Sequence, residues 1–436
     1  MAAAVVLLAS PSLHAENLTA VFNQARTSDP KFQAAEANYL AGIEKLPQAR
    51  ATLMPSLNAR ASRDRNQSET TTDAFIPGRP SGRFTYSSSE YTLNLNQPLY
   101  NGVSFAGLDQ ARADVRRAEA EYAAASQDLV LRVAEAYFGI LAAQDNLELT
   151  RAEKTAIQRQ LDSADARLKV GLATITDVHD AKARFEVASA QEVEADNQLH
   201  DKQEALRELT STIPTVLAPL GPNLPLVNPE PADIGQWADK SLAQNYLLRA
   251  RQEAAESARE EVKRLNAGHF PTLDLVGTRT RNDADGSVTG TGIRSDSTVV
   301  GLQLNVPIFQ GGLVSARTRE AAHQYDAAQQ ELEATRRATV RAARAAYLGV
   351  TGGAAKVTAL TQAVVASESA LTTKTEGFTA GINTNIEVLD ASRDLYRAKR
   401  DLSSARYDYL LNLLRLKQAA GTLNENDLAQ INAWLQ

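Results

Sequence analysis

A duplication constrains this chain more than any other feature. Leu93-Asn-Leu-Asn-Gln-Pro98-Leu-Tyr-Asn-Gly102 returns as Leu302-Gln-Leu-Asn-Val-Pro307-Ile-Phe-Gln-Gly311, and Met54-Pro-Ser-Leu57 returns as Phe270-Pro-Thr-Leu273. Val170-Gly171-Leu-Ala-Thr174-Ile-Thr-Asp177 is echoed by Ala380-Gly381-Ile-Asn-Thr384-Asn-Ile-Glu387, with Ala136-Tyr137 and Ala346-Tyr347 in step between them. Landmarks in one order at an offset of about 210 residues mean one unit present twice. Each copy reads helix, strand, strand, very long helix, turn, helix. The chain therefore predicts one elongated two-fold pattern instead of two globular domains in a row.

Composition agrees with that shape. Aromatics are 6% of 436 residues while Ala, Gln, Glu and Arg recur, which suits extended helices packed on small side chains. A net charge of −6 with no basic patch argues against a nucleic-acid partner, which needs concentrated positive charge. The absence of cysteine removes disulfides, thiolate metal sites, cysteine nucleophiles and a lipid anchor on cysteine. His14, His179, His200, His269 and His323 are scattered without a second ligand at metal spacing. Gly311-Gly312 and Gly352-Gly353 lack the Lys-Ser/Thr of a phosphate loop, and the carboxylates belong on solvated helix faces. No enzyme, cofactor or metal site is expected.

Residues 2–9 are a short apolar run followed by Ser10-Pro-Ser-Leu-His-Ala15, so residues 1–15 read as a signal-peptide remnant cleaved before Glu16, although a basic leading region is missing. A flexible apolar tail is the alternative reading. No other stretch approaches the roughly 18–20 apolar residues of a spanning helix, so any membrane crossing must use strands.

Residues 17–50 show helical periodicity with Leu18, Val21, Phe22 and Ala25 on one stripe. The period then changes to two over 52–66 and 86–97, and again over 270–282 and 296–306, with polar loops at 67–85 and 281–297. Such strands are long enough to cross a bilayer when tilted, but four cannot close a barrel, and open edges are not tolerated in hydrocarbon. Edge chemistry alone demands an oligomer. From Gly102 to about Val170, and from Gly312 to about Ala380, helical periodicity runs almost unbroken, roughly 100 Å at 1.5 Å per residue. Helices over 175–212 and 385–420 return from turns at Gly171 and Gly381. The predicted organisation is a first repeat at 16–213, a linker at 214–234 lying outside the helices, a second repeat at 235–422 and a C-terminal segment at 423–436. Pro98 and Pro307 suit strand ends at strand-to-helix junctions. Tyr100 and Phe309 beside them fit an aromatic belt at a membrane boundary or ordinary junction packing equally well.

Val306-Pro-Ile-Phe-Gln-Gly-Gly312, Asn385-Ile-Glu-Val-Leu-Asp-Ala391, Ala405-Arg-Tyr-Asp-Tyr-Leu-Leu411 and Gly421-Thr-Leu-Asn-Glu-Asn-Asp427 make the chain resemble the TolC family of outer-membrane exit ducts over essentially residues 16–434. The resemblance implies an α+β membrane protein: a homotrimer whose twelve-stranded outer-membrane β-barrel, four strands per chain, continues into a long periplasmic α-helical barrel. It implies localisation to the cell outer membrane with a large periplasmic portion. It further implies contact with outer-membrane lipid, a periplasmic adaptor protein and an inner-membrane transporter, either a drug pump or an ABC ATPase. Drugs or secreted proteins would pass outward, and no nucleic acid is involved.

In that family a Thr-Asp pair on the first hairpin meets a Tyr and an Arg on the second, and two acidic residues ring the constriction. The resemblance carries these periplasmic gate positions to Thr176, Asp177, Phe378 and Asn383, and the pore constriction or cation-binding positions to Glu387 and Asp390. Phe378 and Asn383 depart from the pattern, lacking the hydroxyl and the charge. Stacked acidic rings in a trimer would attract cations and raise one another's pKa. Residue by residue, a plainer reading stands beside this: Thr174-Ile-Thr-Asp177 and Thr384-Asn-Ile-Glu387 each fit a capping box that opens a helix after a glycine turn. A non-transporting, envelope-spanning coiled-coil scaffold is the alternative function, though it has no need of the paired period-two segments.

Overall fold

The computed structural model describes residues 16–71, 81–213, 216–287 and 291–435, so the expected signal remnant lies outside the described residues. The chain divides into two units, one formed by residues 1–38, 120–249 and 334–436, the other by residues 39–119 and 250–333.

In the second of these, α3 (Lys45–Ala51) leads into β1 (Ser56–Thr70) and β2 (Gly82–Asn101), and β3 (Thr272–Ala284) and β4 (Ile293–Asn305) complete the sheet. The order is β1-β2-β3-β4, all neighbours antiparallel, with β1 and β4 as open edges among the described residues. Register places Leu57, Leu95, Gly277 and Val300 in one row, with Leu302 opposite Leu275 and Leu304 opposite Leu273 further along the same face. The other face carries Asn58, Asn94, Thr278 and Val299. Leu57, Val300, Leu302 and Leu304 are exposed, an unpartnered apolar face of the kind that needs lipid or protein over it.

The strands are longer than period two alone predicts. The expected loops at 67–85 and 281–297 contract because β1 runs on to Thr70, β2 starts at Gly82, β3 ends at Ala284 and β4 starts at Ile293. Pro98 does not end its strand: β2 continues through it to Asn101 with a register shift between Pro98 and Tyr100. A bulge is where a strand tolerates a residue without an N–H. Pro307 does follow the end of β4 at Asn305.

The first unit is helical. The helix expected over 17–50 is broken: α1 (Leu18–Ser28) stops at Asp29, and Pro30 opens α2 (Pro30–Ile43). Asp29 precedes proline and takes an extended backbone, as steric clash with the proline ring requires. The long runs form as the periodicity predicts, α4 at Gly102–Lys169 and α8 at Leu313–Thr379, returning as α5 (Ile175–Thr210) and α9 (Asn385–Ala419). Between the copies lie α6 (Ile234–Gln244) and α7 (Tyr246–Asn266), and α10 (Glu425–Asn432) closes the chain.

Leu18 and Phe22 of α1, Val133, Tyr137 and Phe138 of α4, Leu206 of α5, Tyr409, Leu410 and Leu414 of α9 and Leu428 of α10 build its core. The Phe138 ring sits edge-on to Tyr137 at 5.7 Å and 5.9 Å from Tyr407. Tyr137 donates to the Ala218 carbonyl at 2.9 Å, and burial pushes its hydroxyl pKa up. That bond ties the linker to the helices, with Leu217 and Ala218 buried against them. Asp29, almost fully buried, receives Arg132 at 2.6 Å and caps α2 by accepting from the Phe32 N–H at 3.0 Å.

Candidate functional site

Two glycine turns in the helical unit carry the candidate site, and both are built alike. At the end of α4, Gly171 takes φ 76°, and the Leu172 N–H reaches back to the Arg167 carbonyl at 2.8 Å. At the end of α8, Gly381 takes φ 75°, and the Ile382 N–H reaches the Gly377 carbonyl at 2.7 Å. This is the Schellman closure, which needs a residue free to adopt positive φ. Thr174 and Thr384 then open α5 and α9, each in a complete capping box with Asp177 or Glu387. A seven-residue pattern of glycine, threonine and acid thus reverses the chain in both copies, and the capping reading of these acids is realised in the backbone.

The side chains around the turns differ between the copies. Asp177 accepts from the Thr174 N–H and hydroxyl, both at 2.8 Å. Thr176 is exposed. Asn383 donates to Glu387, and the Thr384 N–H adds a longer bond at 3.3 Å. The Asn383 bond, with that from Thr384, holds the Glu387 carboxyl below its ordinary pKa. Mutual repulsion between acidic residues predicts the opposite direction, and inside one chain the hydrogen bonds win.

Four residues that sequence reasoning passed over tie the hairpins together. Arg184 of α5 pairs with Asp390 of α9 at 2.9 Å, with Arg393 further off at 3.7 Å. The Arg167 guanidinium lies 4.4 Å from the Phe378 ring centre, a cation–π geometry. Asn385, buried, accepts from Gln160 and donates to the Asp177 carbonyl at 3.4 Å. Beneath them Ile157, Ala181, Ala188 and Leu389 form a small apolar core. The structure therefore brings Phe378 to Arg167, Asp390 to Arg184 and Asn383 to Glu387. Asp390 does not present a bare carboxylate. The repeat alignment held one signal for this: Arg184 has Asp394 as its counterpart, so the cation occurs in only one copy.

Among the described residues no helix is long and apolar enough to cross a membrane, and no group of His, Asp and Glu stands ready for a metal ion. Comparison with known proteins then gives a consistent picture. Residues 21–212 and 237–422 match the family described as Outer membrane efflux protein. The chain is 37% identical to Outer membrane protein TolC of Vibrio cholerae over 98% of this chain and 95% of that protein. It is 34% identical to the Alkaline protease secretion protein AprF of Pseudomonas aeruginosa, covering 99% of this chain and 89% of that one. The crystal structure of the outer membrane protein VceC of Vibrio cholerae superposes with a TM-score of 0.80 at 22% identity, over 93% of this chain and 96% of that chain, a likeness of fold.

Proposed function

The chain belongs to the outer membrane efflux protein family, and from that membership we propose that it is the exit duct of a tripartite efflux pump, a type I secretion system, or both. Its place is the outer membrane, with a large periplasmic portion. The observation that carries the reading is the sheet: four long antiparallel strands with one exposed apolar face, one polar face and two unpaired edges. Unpaired strand edges cost several kcal/mol per group in hydrocarbon, so the staves must be sealed by other copies. Three chains give twelve strands, an even number in the known range. The polar face then lines the pore and the apolar face meets lipid.

The paired long helices make the periplasmic passage, and the turns at Gly171 and Gly381 sit where it narrows. There Thr176, Asp177, Phe378 and Asn383 are gate positions, and Glu387 and Asp390 face the constriction. A periplasmic adaptor and an inner-membrane transporter supply cargo and energy, and the duct performs no chemistry of its own. The relatives' names cover both TolC and protease secretion, which supports either cargo class.

Extraction and conductance test the reading together. The protein should need detergent for release, run as a trimer and conduct in a planar bilayer. Recovery as a water-soluble monomer without channel activity would overturn the duct and favour the scaffold.

A further inference from the structure

We propose that the lipid-facing side of the sheet carries a binding site for the phosphate groups of an anionic, phosphorylated glycolipid in the outer leaflet, formed by Arg63, Arg65, Arg279 and Arg281. The inference rests on the duct reading, which makes the apolar face the lipid face.

Register supplies the geometry. The bulge at Pro98 sets Tyr100 opposite Leu273, so Tyr100 shares the apolar face with Leu273, Leu275 and Gly277; Tyr91, opposite Arg281, lies on that face too. Eight residues of β3 separate Leu273 from Arg281, about 26 Å along the strand, or about 20 Å of height at a tilt near 40°. An outer-membrane barrel's apolar band is roughly 25 Å, bounded by aromatic residues. Tyr91 and Tyr100 therefore mark its two edges.

Arg63 and Arg65 lie on the loop side of the Tyr91 edge, Arg281 is level with it, and Arg279 lies one pair inside the band, where a long side chain can extend its guanidinium back to the edge. Arg281 pairs directly with Tyr91, Arg279 with Leu93, Arg63 with Ser89 and Arg65 with Ser87, all on this one face. All four are exposed, and none makes an ion pair within the described residues. The acids nearby are engaged or outnumbered: Asp283 is paired with Arg294 at 2.7 Å, Asp285 accepts from the Ser87 N–H at 2.6 Å, and Asp296 stands opposite Arg281. Arg63, Arg281, Ser87, Ser89 and Tyr91, together with the engaged Asp283 and Asp285, line a depression of about 610 Å³. Guanidinium groups at the rim of an apolar band meet lipid phosphates with their tails already in hydrocarbon, and planar bidentate donors suit phosphate. The opposite face at this height carries Ser62, Ser88, Asn282 and one arginine, Arg60, with Glu90 and Asp64 beside them, so the cluster of four arginines belongs to the lipid side.

The test is titration of the purified trimer in neutral detergent with bis-phosphorylated lipid A, its phosphate-free form and inorganic phosphate, read by native mass spectrometry. Expected results are tight binding of the bis-phosphorylated lipid, weak binding of the phosphate-free lipid and no competition from inorganic phosphate at matched concentration. Each Arg→Gln change should weaken lipid binding about fivefold, the equivalent of about 1 kcal/mol per surface arginine, and four Arg→Lys changes, which keep the charge but lose the planar fork, should bind more tightly than four Arg→Gln changes and less tightly than the parent. Equal binding of the phosphate-free lipid, undiminished binding by the four-glutamine variant, or displacement by inorganic phosphate would overturn the site. Unfolding temperature without lipid checks that each variant is folded. Planar-bilayer conductance of the same preparations separates the two readings: a conducting trimer that ignores lipid phosphate refutes only this site.

Discussion

If the hairpins are held shut by ties within each chain, Arg184→Gln should open the duct. The Arg184–Asp390 pair is short, 2.9 Å, but its side chains remain 29% and 38% exposed. Solvent screening at that exposure limits the pair to about 0.5–1 kcal/mol, and Arg393 at 3.7 Å from Asp390 recovers part of the loss. Three identical pairs in a trimer act on one opening event, so the closed state loses about 1.5–3 kcal/mol. That is about a 10- to 150-fold rise in the ratio of open to closed duct. Planar-bilayer recordings report it directly, as longer open dwell times or a larger mean conductance. The reversed pair, Arg184→Asp with Asp390→Arg, should return the ratio toward the parent value, because it restores attraction without restoring either side chain. Phe378→Ala removes the cation–π tie to Arg167, worth about 0.5–1 kcal/mol per chain, and should add to the effect of Arg184→Gln as an independent tie. If Arg184→Gln leaves the open fraction unchanged in a trimer of normal mass, the hairpins are not held by this pair and the reasoning fails.

Four further outcomes follow from the structure. Because Asn383 and the Thr384 N–H hold Glu387 below its ordinary pKa, its charge persists as pH falls and is lost only through the lowered value; Asn383→Ala should therefore make block by divalent cations fade at a higher pH, and an unmoved profile would contradict it. Cation selectivity should suffer more from Glu387→Ala than from Asp390→Ala, since Arg184 and Arg393 already offset Asp390; equal losses in reversal potential would count against this. Asp29 is buried with its pKa held down, against the opposing effect of burial, by Arg132 and the Phe32 N–H, so its contribution is present above the usual carboxylate range and lost as pH falls through the folded-state value. Asp29→Asn should lower stability by about 3 kcal/mol at neutral pH, a gap in unfolding midpoint that narrows below about pH 4. Gly421 takes φ 72° with the Gln244 carbonyl where a Cβ would sit, so Gly421→Ala should cost about 3 kcal/mol or more, visible as a lower unfolding midpoint.

Local rules made the long elements legible. Few breakers interrupt Gly102–Lys169 or Leu313–Thr379, and the glycine-threonine-acid pattern at each turn acts within a few residues, so periodicity and capping could be read directly. Pro98 was misleading because proline's missing N–H ordinarily ends a strand, whereas here the bulge beside it absorbs the missing donor and lets β2 run to Asn101. Pro30 misled in the other direction, since helical periodicity continues across it while the backbone of Asp29 cannot.

The site was harder because its ties are tertiary. Arg167 and Phe378, or Arg184 and Asp390, lie about 210 residues apart, the length of the repeat. A duplicated backbone builds two equal turns, but equal side chains would give each hairpin the same preference and no reason to lean on the other. Beyond two matching capping boxes this chain breaks the equivalence: Arg184 stands where the other copy has Asp394, and the second hairpin supplies Phe378, Asn385 and Asp390 as partners for the first. Both hairpins are capped locally; the first offers the cations Arg167 and Arg184, and the second offers the groups that hold them. Opening can then proceed by separating the hairpins without unwinding either helix start, because the capping boxes and the inter-hairpin ties share no carboxylate.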